Sequence, residues 1–185
     1  MNAPILGGMS VFANQSIIRV IILVVDGVSL TTVSTALEPF QQVNSMLGED
    51  RFHIQLVSLS STDPMTSAGI PIPCHLTSTD VLAKLKLQNR PDLLILCCGH
   101  VTSPINQASA GKFVQKFARQ NVPVFALGAA CLIAAKTAMI KGGKCATHWK
   151  MISSLAEQFP ALEVQNVLYV LDGRISSCAG EFATF

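Results

Sequence analysis

Charged residues are scarce in this sequence. They make up 13% of its 185 positions, and 13 lysines and arginines against 11 aspartates and glutamates give a formal net charge of only +2. A nucleic-acid-binding surface needs a basic stripe, and the sequence has none. The chain by itself is therefore not predicted to bind DNA.

Long apolar runs are missing as well. The most apolar early stretch, VIILVV at residues 20–25, has Arg19 at its edge. It is much shorter than the roughly 20 residues that a helix needs to span a bilayer. No small-residue cleavage pattern accompanies it, so neither a membrane span nor a signal peptide is predicted.

Disulfide and metal-binding patterns are also absent. The cysteines form no C-x-x-C pair, and the four histidines show no spacing with them that is typical of zinc sites. Half of the residues are hydrophobic, which is enough to build a core without disulfides. We therefore expect free thiols, a reducing cytoplasm, no metal and no cofactor. The six cysteines are Cys74, Cys97, Cys98, Cys131, Cys145 and Cys178.

The sequence does contain a regular alternation of strand and helix patterns. Continuous apolar runs such as SIIRVIILVV, PDLLILCCGH and VPVFAL are typical of parallel strands that are covered on both faces. Apolar residues at helical spacing follow these runs. The order predicts an α/β fold with a three-layer, doubly wound, mainly parallel sheet and helices on both faces. One domain is expected over residues 16–185, after a flexible leader at 1–15.

Local signals place several element ends. Ser29 is a suitable N-cap for the first helix, and Gly48 is its expected stop. The pair Asp172-Gly173 between two apolar runs predicts a β-hairpin.

Two more helices are predicted in the second half of the chain. One runs from Ala130 to about Ile140. The other is capped by Thr147 and places Trp149 in the core, while His148 is interpreted mainly as a hydrogen-bonding residue of the turn.

A binding pocket is predicted where three strands end. Ligands of open parallel sheets bind outside the carboxyl ends of the strands, and the turns found there carry backbone N–H groups that can hold an anionic or polar group. The turns are Asp26-Gly27-Val28, Cys98-Gly99-His100 and Gly128-Ala129-Ala130. His100 is either a cleft residue or a solvated loop residue. Asp26 either contacts a polar ligand or simply stabilises its turn.

The third turn is the most informative one. In PVFALGAACLIAAK a buried strand turns sharply into a helix, the geometry in which several enzymes hold a nucleophile beside an oxyanion hole. Gly128 occupies the position of that nucleophile, and we expect it to have a backbone conformation that only glycine tolerates easily. Cys131, three residues later, is either a displaced nucleophile at the helix N-terminus or a small buried core residue.

Residues 123–180 carry a family resemblance. The stretch PVFALGAACLIAAKTAMIKGGKCATHWKMISSLAEQFPALEVQNVLYVLDGRISSCAG resembles the amidase-like domain of AraC-type transcriptional regulators, a branch of the class I glutamine amidotransferase-like (PfpI-type) superfamily. Its most specific part is the block Gly143–Trp149, followed by Phe159-Pro160 and Asp172-Gly173, and the resemblance extends over nearly the whole chain. It implies a flavodoxin-like, class I glutamine amidotransferase-like fold.

The resemblance also implies a loss of catalytic residues. The elbow cysteine of the enzymatic members aligns with Gly128, and the acid that they carry early in the first helix, in a G-x-x-L-x-D pattern, aligns with Thr32. Covalent chemistry needs the nucleophile and the group that tunes it together. The predicted pocket therefore includes Thr32 and no catalytic residue.

Three functions remain open at this point. The first is a non-catalytic sensor that binds a small, often nitrogenous, metabolite and controls promoter DNA through a C-terminal helix-turn-helix domain outside this chain. The resemblance implies a homodimer, with RNA polymerase as a further partner. The apolar ending AGEFATF leads us to expect such a continuation. The alternatives are a PfpI-type cysteine hydrolase or hydratase with a displaced cysteine, and a scaffold that only dimerises.

Overall fold

A computed structural model of the protein describes residues 17–60, 62–85, 90–99, 103–137, 140, 143–173 and 175–180. The predicted leader lies outside these residues, as does His100. The strands are β1 (Ile18–Val24), β2 (Phe52–Ser58), β3 (Leu76–Thr77), β4 (Leu93–Cys98), β5 (Val124–Gly128), β6 (Lys144–Ala146), β7 (Glu163–Gln165), β8 (Tyr169–Asp172) and β9 (Ile175–Cys178).

Among the described residues, seven strands form the main sheet, in the order β3-β2-β1-β4-β5-β9-β8. All neighbours are parallel except β8 and β9, which pair antiparallel as the predicted hairpin. The predicted mainly parallel sheet is therefore confirmed. Because β1, β4 and β5 are adjacent and parallel, their carboxyl ends meet at one edge.

Helices cover both faces of this sheet. They are α1 (Leu30–Leu47), α2 (Ser78–Lys84), α3 (Pro104–Ala118), α4 (Ala130–Lys136) and α5 (Ile152–Gln158), with a short 3-10 helix at Trp149–Met151. In the part of the chain that the structure describes, no helix combines the length and apolar character needed to cross a membrane.

The side-chain alternation of β1 explains the layers. Successive strand residues point to opposite faces. Ile21 and Leu23 pack in one core cluster with the α3 residues Phe113 and Phe117. The second cluster includes Val33 of α1 and the β1 residues Ile18, Val20, Ile22 and Val24. A strand that is buried on both faces consists of consecutive apolar residues, and this pattern predicted β1 from the sequence.

The predicted ends of α1 are confirmed. The Ser29 side chain accepts a hydrogen bond from the Thr31 N–H (3.2 Å), which satisfies one of the free donors of the first turn. At the other end, Gly48 adopts a left-handed conformation with φ of +66°.

Two features of the second half differ from the sequence prediction. Helix α4 ends at Lys136 and not near Ile140, because Thr137 leaves the helix and its hydroxyl donates to the Ala134 carbonyl (2.9 Å). The pairing of β6 with β7 in a separate two-stranded parallel sheet was not predicted. Three-residue strands such as these have too few positions to show an alternation.

Candidate functional site

A small cleft lies where the carboxyl ends of β1, β4 and β5 meet. Its volume is about 30 Å³, above the roughly 10–15 Å³ that a cavity needs to hold one water molecule. The backbones approach closely here, since a Cβ atom on Gly99 would overlap the carbonyl of Gly27. The lining residues are Gly27, Ser29, Thr32, Ser67, Cys98, Gly99, Gly128, Ala129, His148 and Gly180.

The cleft brings together six of the ten residues predicted from the sequence: Gly27, Thr32, Cys98, Gly99, Gly128 and Ala129. Val28 and Ala130 are fully buried in the core and do not line it. His100 lies outside the described residues. The ligand-binding role of the whole set stays a prediction.

Asp26 is also not part of the cleft lining. Its carboxylate accepts hydrogen bonds from the Met65 N–H (2.9 Å) and from the Asn106 side-chain amide (3.3 Å). These contacts tie the end of β1 to the loop before β3 and to the first turn of α3. In this geometry the aspartate holds its turn against two other segments of the chain, and its contact with a polar ligand stays a prediction.

Gly128 has the backbone conformation that the sequence led us to expect. Its φ is +65°, in the left-handed region where a side chain is strained. Space is available, because an added Cβ would lie 3.8 Å from the Cys98 carbonyl oxygen and 3.9 Å from the Gly180 Cα. The elbow is therefore restricted by conformation and not by crowding.

Thr147 supports the elbow and does not cap a helix, contrary to the sequence prediction. Its buried hydroxyl donates to the Gly128 carbonyl (3.3 Å), while the side chain of His148 caps the 3-10 helix. Helix-capping residues lie directly before the first helical turn. The helix here begins at Trp149, so the capping position falls on His148.

We predict that Thr147→Val destabilises the protein by about 1–2 kcal/mol, because it leaves the Gly128 carbonyl without this donor. The measurement is the midpoint of urea unfolding. Thr31→Val, in the first turn of α1, is the control for the general effect of exchanging threonine for valine. Equal midpoints for the two variants would contradict the prediction.

His148 is a cleft residue that sequence reasoning assigned mainly to the turn. The Nδ1 atom accepts a hydrogen bond from the Lys150 N–H (3.3 Å), and the ring lines the cleft. A Cβ on Gly180 would lie 3.3 Å from the His148 Cδ2, so the glycine leaves room for the ring. The histidine thus has both a capping and a lining position.

Trp149 was predicted to lie in the core, and this prediction was wrong. The residue is 69% exposed and stacks on His148, with the Lys150 ammonium 5.3 Å from its ring centroid. The predicted spacing assumed one continuous α-helix. The first turn is a 3-10 helix, in which residues fall on different faces.

Ser67 and Gly180 were not in the predicted site, whereas Ser29 was predicted both as a helix cap and as the end of the first turn that borders the pocket. Ser67 lies in a turn-rich stretch without a regular pattern. Ser67 is held at the cleft by its N–H, which donates to the Val28 carbonyl (2.8 Å). No local signal in the sequence identifies such a long-range contact.

Cys131 is fully buried and is not among the residues that line the cleft. A hydrogen bond with Cys145, together with burial, raises the pKa of the Cys131 thiol. A nucleophilic cysteine needs the opposite shift and some exposure. Of the two roles left open for this residue, the structure supports that of a small core residue.

Cys98 is the one sulfur-containing residue among the described lining residues. It is 5% exposed, and its Sγ donates to the Gly99 carbonyl (3.3 Å). Within the described ranges, no group of three or more histidine, cysteine, aspartate or glutamate side chains is placed to hold a metal ion. The described lining thus offers hydroxyl, imidazole, thiol and backbone groups for hydrogen bonding.

Curated relatives of the chain are transcriptional regulators. It is 20% identical over 172 residues to the HTH-type transcriptional regulator GlxA of Rhizobium meliloti, covering 92% of this chain and 51% of that protein. It is 25% identical over 161 residues to the HTH-type transcriptional regulator GbdR of Pseudomonas aeruginosa, covering 85% and 41%. The chain thus spans about half the length, or less, of the relatives it matches.

Solved structures share the fold. An AraC family transcriptional regulator from Pseudomonas putida superposes with a TM-score of 0.76 at 20% identity, covering 90% of this chain and 86% of that one. Drosophila melanogaster DJ-1beta superposes with a TM-score of 0.75 at 13% identity, covering 91% and 84%. The DJ-1/PfpI family pattern matches residues 18–183, nearly the entire described domain, and the chain belongs to the DJ-1/PfpI family.

Proposed function

We propose that this domain is the non-catalytic, effector-sensing part of an AraC-type transcriptional regulator. In this proposal the cleft holds a polar group of a small metabolite, and a helix-turn-helix domain outside this chain binds promoter DNA. The regulatory role is supported by the relatives, which are HTH-type transcriptional regulators. The effector would act by favouring one of two conformations that differ in DNA affinity.

The observation that carries the proposal is the elbow without a nucleophile. Gly128 keeps the left-handed conformation of +65° but has no side chain, and the thiol nearest in sequence, that of Cys131, is buried away from the cleft. Thr32, aligned with the acid of the enzymatic members, has a hydroxyl in its place. A covalent mechanism requires an activated nucleophile, so the cleft is proposed to bind and not to react.

The lining of the cleft suggests the chemistry of the effector. Ser29, Thr32, Ser67 and His148 can donate or accept hydrogen bonds. The cleft has room for only a small group. We propose that it holds the polar end of a small nitrogenous metabolite such as an amino acid or a betaine.

The remaining parts of the proposal concern the whole regulator. A homodimer in the cytoplasm would present two helix-turn-helix domains to promoter DNA, with RNA polymerase as a further partner. This arrangement agrees with the low net charge of +2, which leaves DNA binding to another domain.

We predict that the domain shows no turnover on a panel of amide, dicarbonyl and isonitrile substrates. The rates of the wild type and of Cys131→Ser should be equal, because neither protein has a nucleophile at the elbow. The measurement is the steady-state rate at high enzyme concentration. Turnover that Cys131→Ser abolishes would contradict the sensor proposal and support the hydrolase or hydratase alternative.

Binding is tested on a regulator chain that includes the downstream domain. Amino acids and betaines are screened by thermal shift, and each compound that raises the Tm is tested for its effect on promoter binding. We expect His148→Ala to abolish the shift, whereas His53→Ala, on the exposed side of β2, should leave it unchanged. A compound that shifts both variants equally would bind outside the cleft.

A further inference from the structure

The exposed side chain of Trp149 lies next to a residue of the cleft. Trp149 is 69% exposed, whereas tryptophan is on average highly buried. Its ring stacks on that of His148, with the ring centroids 5.7 Å apart and an interplanar angle of 30°. His148 in turn lines the cleft. A single ring contact therefore connects the indole of Trp149 to the proposed binding site.

The Trp149 ring already binds a cation. The Lys150 ammonium nitrogen is 5.3 Å from the ring centroid, within the distance of about 6 Å over which the negative face of an indole attracts positive charge. Lys150 is itself exposed. Its ammonium loses little when it leaves the ring, because a lysine ammonium is strongly hydrated in solvent. A ligand cation can therefore take the place of Lys150.

The size of the cleft requires most of an effector to lie outside it. Its volume of about 30 Å³ is room for a group such as a carboxylate, since one water molecule needs roughly 10–15 Å³. Hydroxyl and backbone N–H groups of the lining can donate hydrogen bonds to that group. A ligand whose carboxylate is within hydrogen-bond distance of His148, about 3 Å, can place an ammonium a few bonds further on within about 6 Å of the Trp149 centroid.

We propose that Trp149 binds the quaternary ammonium group of a zwitterionic effector whose carboxylate lies in the cleft. This inference rests on the proposed function, to which it adds the class of ligand and the residue that recognises its cation.

The chemistry of the indole favours a quaternary ammonium over a primary one. The ring offers a π face and an N–H donor but no hydrogen-bond acceptor. A primary ammonium on this face would lose hydrogen bonds to water, and an unmade hydrogen bond is costly. A quaternary ammonium has no N–H group to leave unpaired, and its methyl groups pack on the ring while the positive charge is attracted to it.

The test compares trimethylglycine with 3,3-dimethylbutyrate, which has the same shape and carboxylate but carbon in place of the charged nitrogen. By titration calorimetry, the wild type should bind trimethylglycine about tenfold more tightly than its neutral isostere. Trp149 is the single tryptophan of the chain, so its fluorescence should change as trimethylglycine binds. Trp149→Ala should bring the two affinities close together, whereas Trp149→Phe should keep part of the difference, because phenylalanine has a weaker π face.

Lys150→Gln provides a second measurement. It should tighten trimethylglycine binding by about threefold, because the competing cation is gone, whereas Lys84→Gln, on an exposed position of α2, removes the same charge elsewhere and should have no effect.

Three results would overturn the role of Trp149: equal affinities of the wild type for the two compounds, a preference that survives in Trp149→Ala, or binding of neither compound. If His148→Ala abolished the binding of both compounds while Trp149→Ala changed neither, the effector site in the cleft would stand and only the inference about Trp149 would fail.

Discussion

Gly99→Ala is expected to destabilise the protein by about 4 kcal/mol, among the largest effects of single substitutions. An added Cβ would lie 2.5 Å from the carbonyl carbon of Gly27, overlap its oxygen, and lie 3.1 Å from the Val28 nitrogen. All three atoms are backbone, so no side chain can rotate away. The end of β1 or of β4 would have to move, and the cleft between them would be lost.

Thermal unfolding measures this effect, with an expected fall in Tm of roughly 10 °C for a domain of this size. Gly69→Ala is the comparison, because Gly69 has a φ of +76° and no neighbouring atom within 4 Å of an added Cβ. That variant should show only the cost of the left-handed conformation, about 1 kcal/mol. If the two substitutions lowered the stability equally, the close approach of the strand ends would not restrict the residue at position 99.

Gly128→Cys is expected to introduce a thiol at the elbow without introducing catalysis. The conformational strain should cost about 1 kcal/mol or more, and the new side chain would occupy most of a cleft of about 30 Å³. Thr32 still supplies no carboxylate to tune the thiol. Loss of effector binding with no gain of turnover is therefore the predicted result.

Thiol titration, activity on the substrate panel and ligand-induced thermal shift measure the three parts of this prediction. Gly48→Cys is the matched control, since its φ of +66° is nearly that of Gly128 at +65° and it lies at the end of α1 with open space around it. Both variants should lose similar stability, but only Gly128→Cys should lose effector binding. Normal binding by Gly128→Cys would place the effector outside the elbow.

The fold was largely predictable because its central strands are buried on both faces. Such strands read as continuous apolar runs, and their order along the chain with intervening helices specifies a parallel sheet. The two short strands β6 and β7 left no such signal. The position of Trp149 was predicted wrongly because a sequence does not distinguish one turn of 3-10 helix from the start of an α-helix.

The site was predictable only in part, and the reason is physical. Gly27, Gly99 and Gly128 lie at the carboxyl ends of strands that pair side by side, so their positions in the sequence indicate that they meet. Ser67 reaches the cleft from a loop and Gly180 from just beyond the carboxyl end of β9, by contacts that depend on the complete fold. His148 was found as part of a motif, but its orientation toward the cleft required the structure.

The burial of α4 from Ala130 to Ala135 determines which wall of the cleft is able to move. Ala130, Ile133 and Ala134 pack against the main sheet, while Cys131, Leu132 and Ala135 pack in a separate cluster with β6 and α5. A displacement of this helix would disrupt two cores at once, and closely packed cores resist small deformations. The elbow is thus the rigid wall of the cleft. A larger ligand would therefore widen the cleft by moving the loop that contains Ser67, which contacts the end of β1 through a few hydrogen bonds.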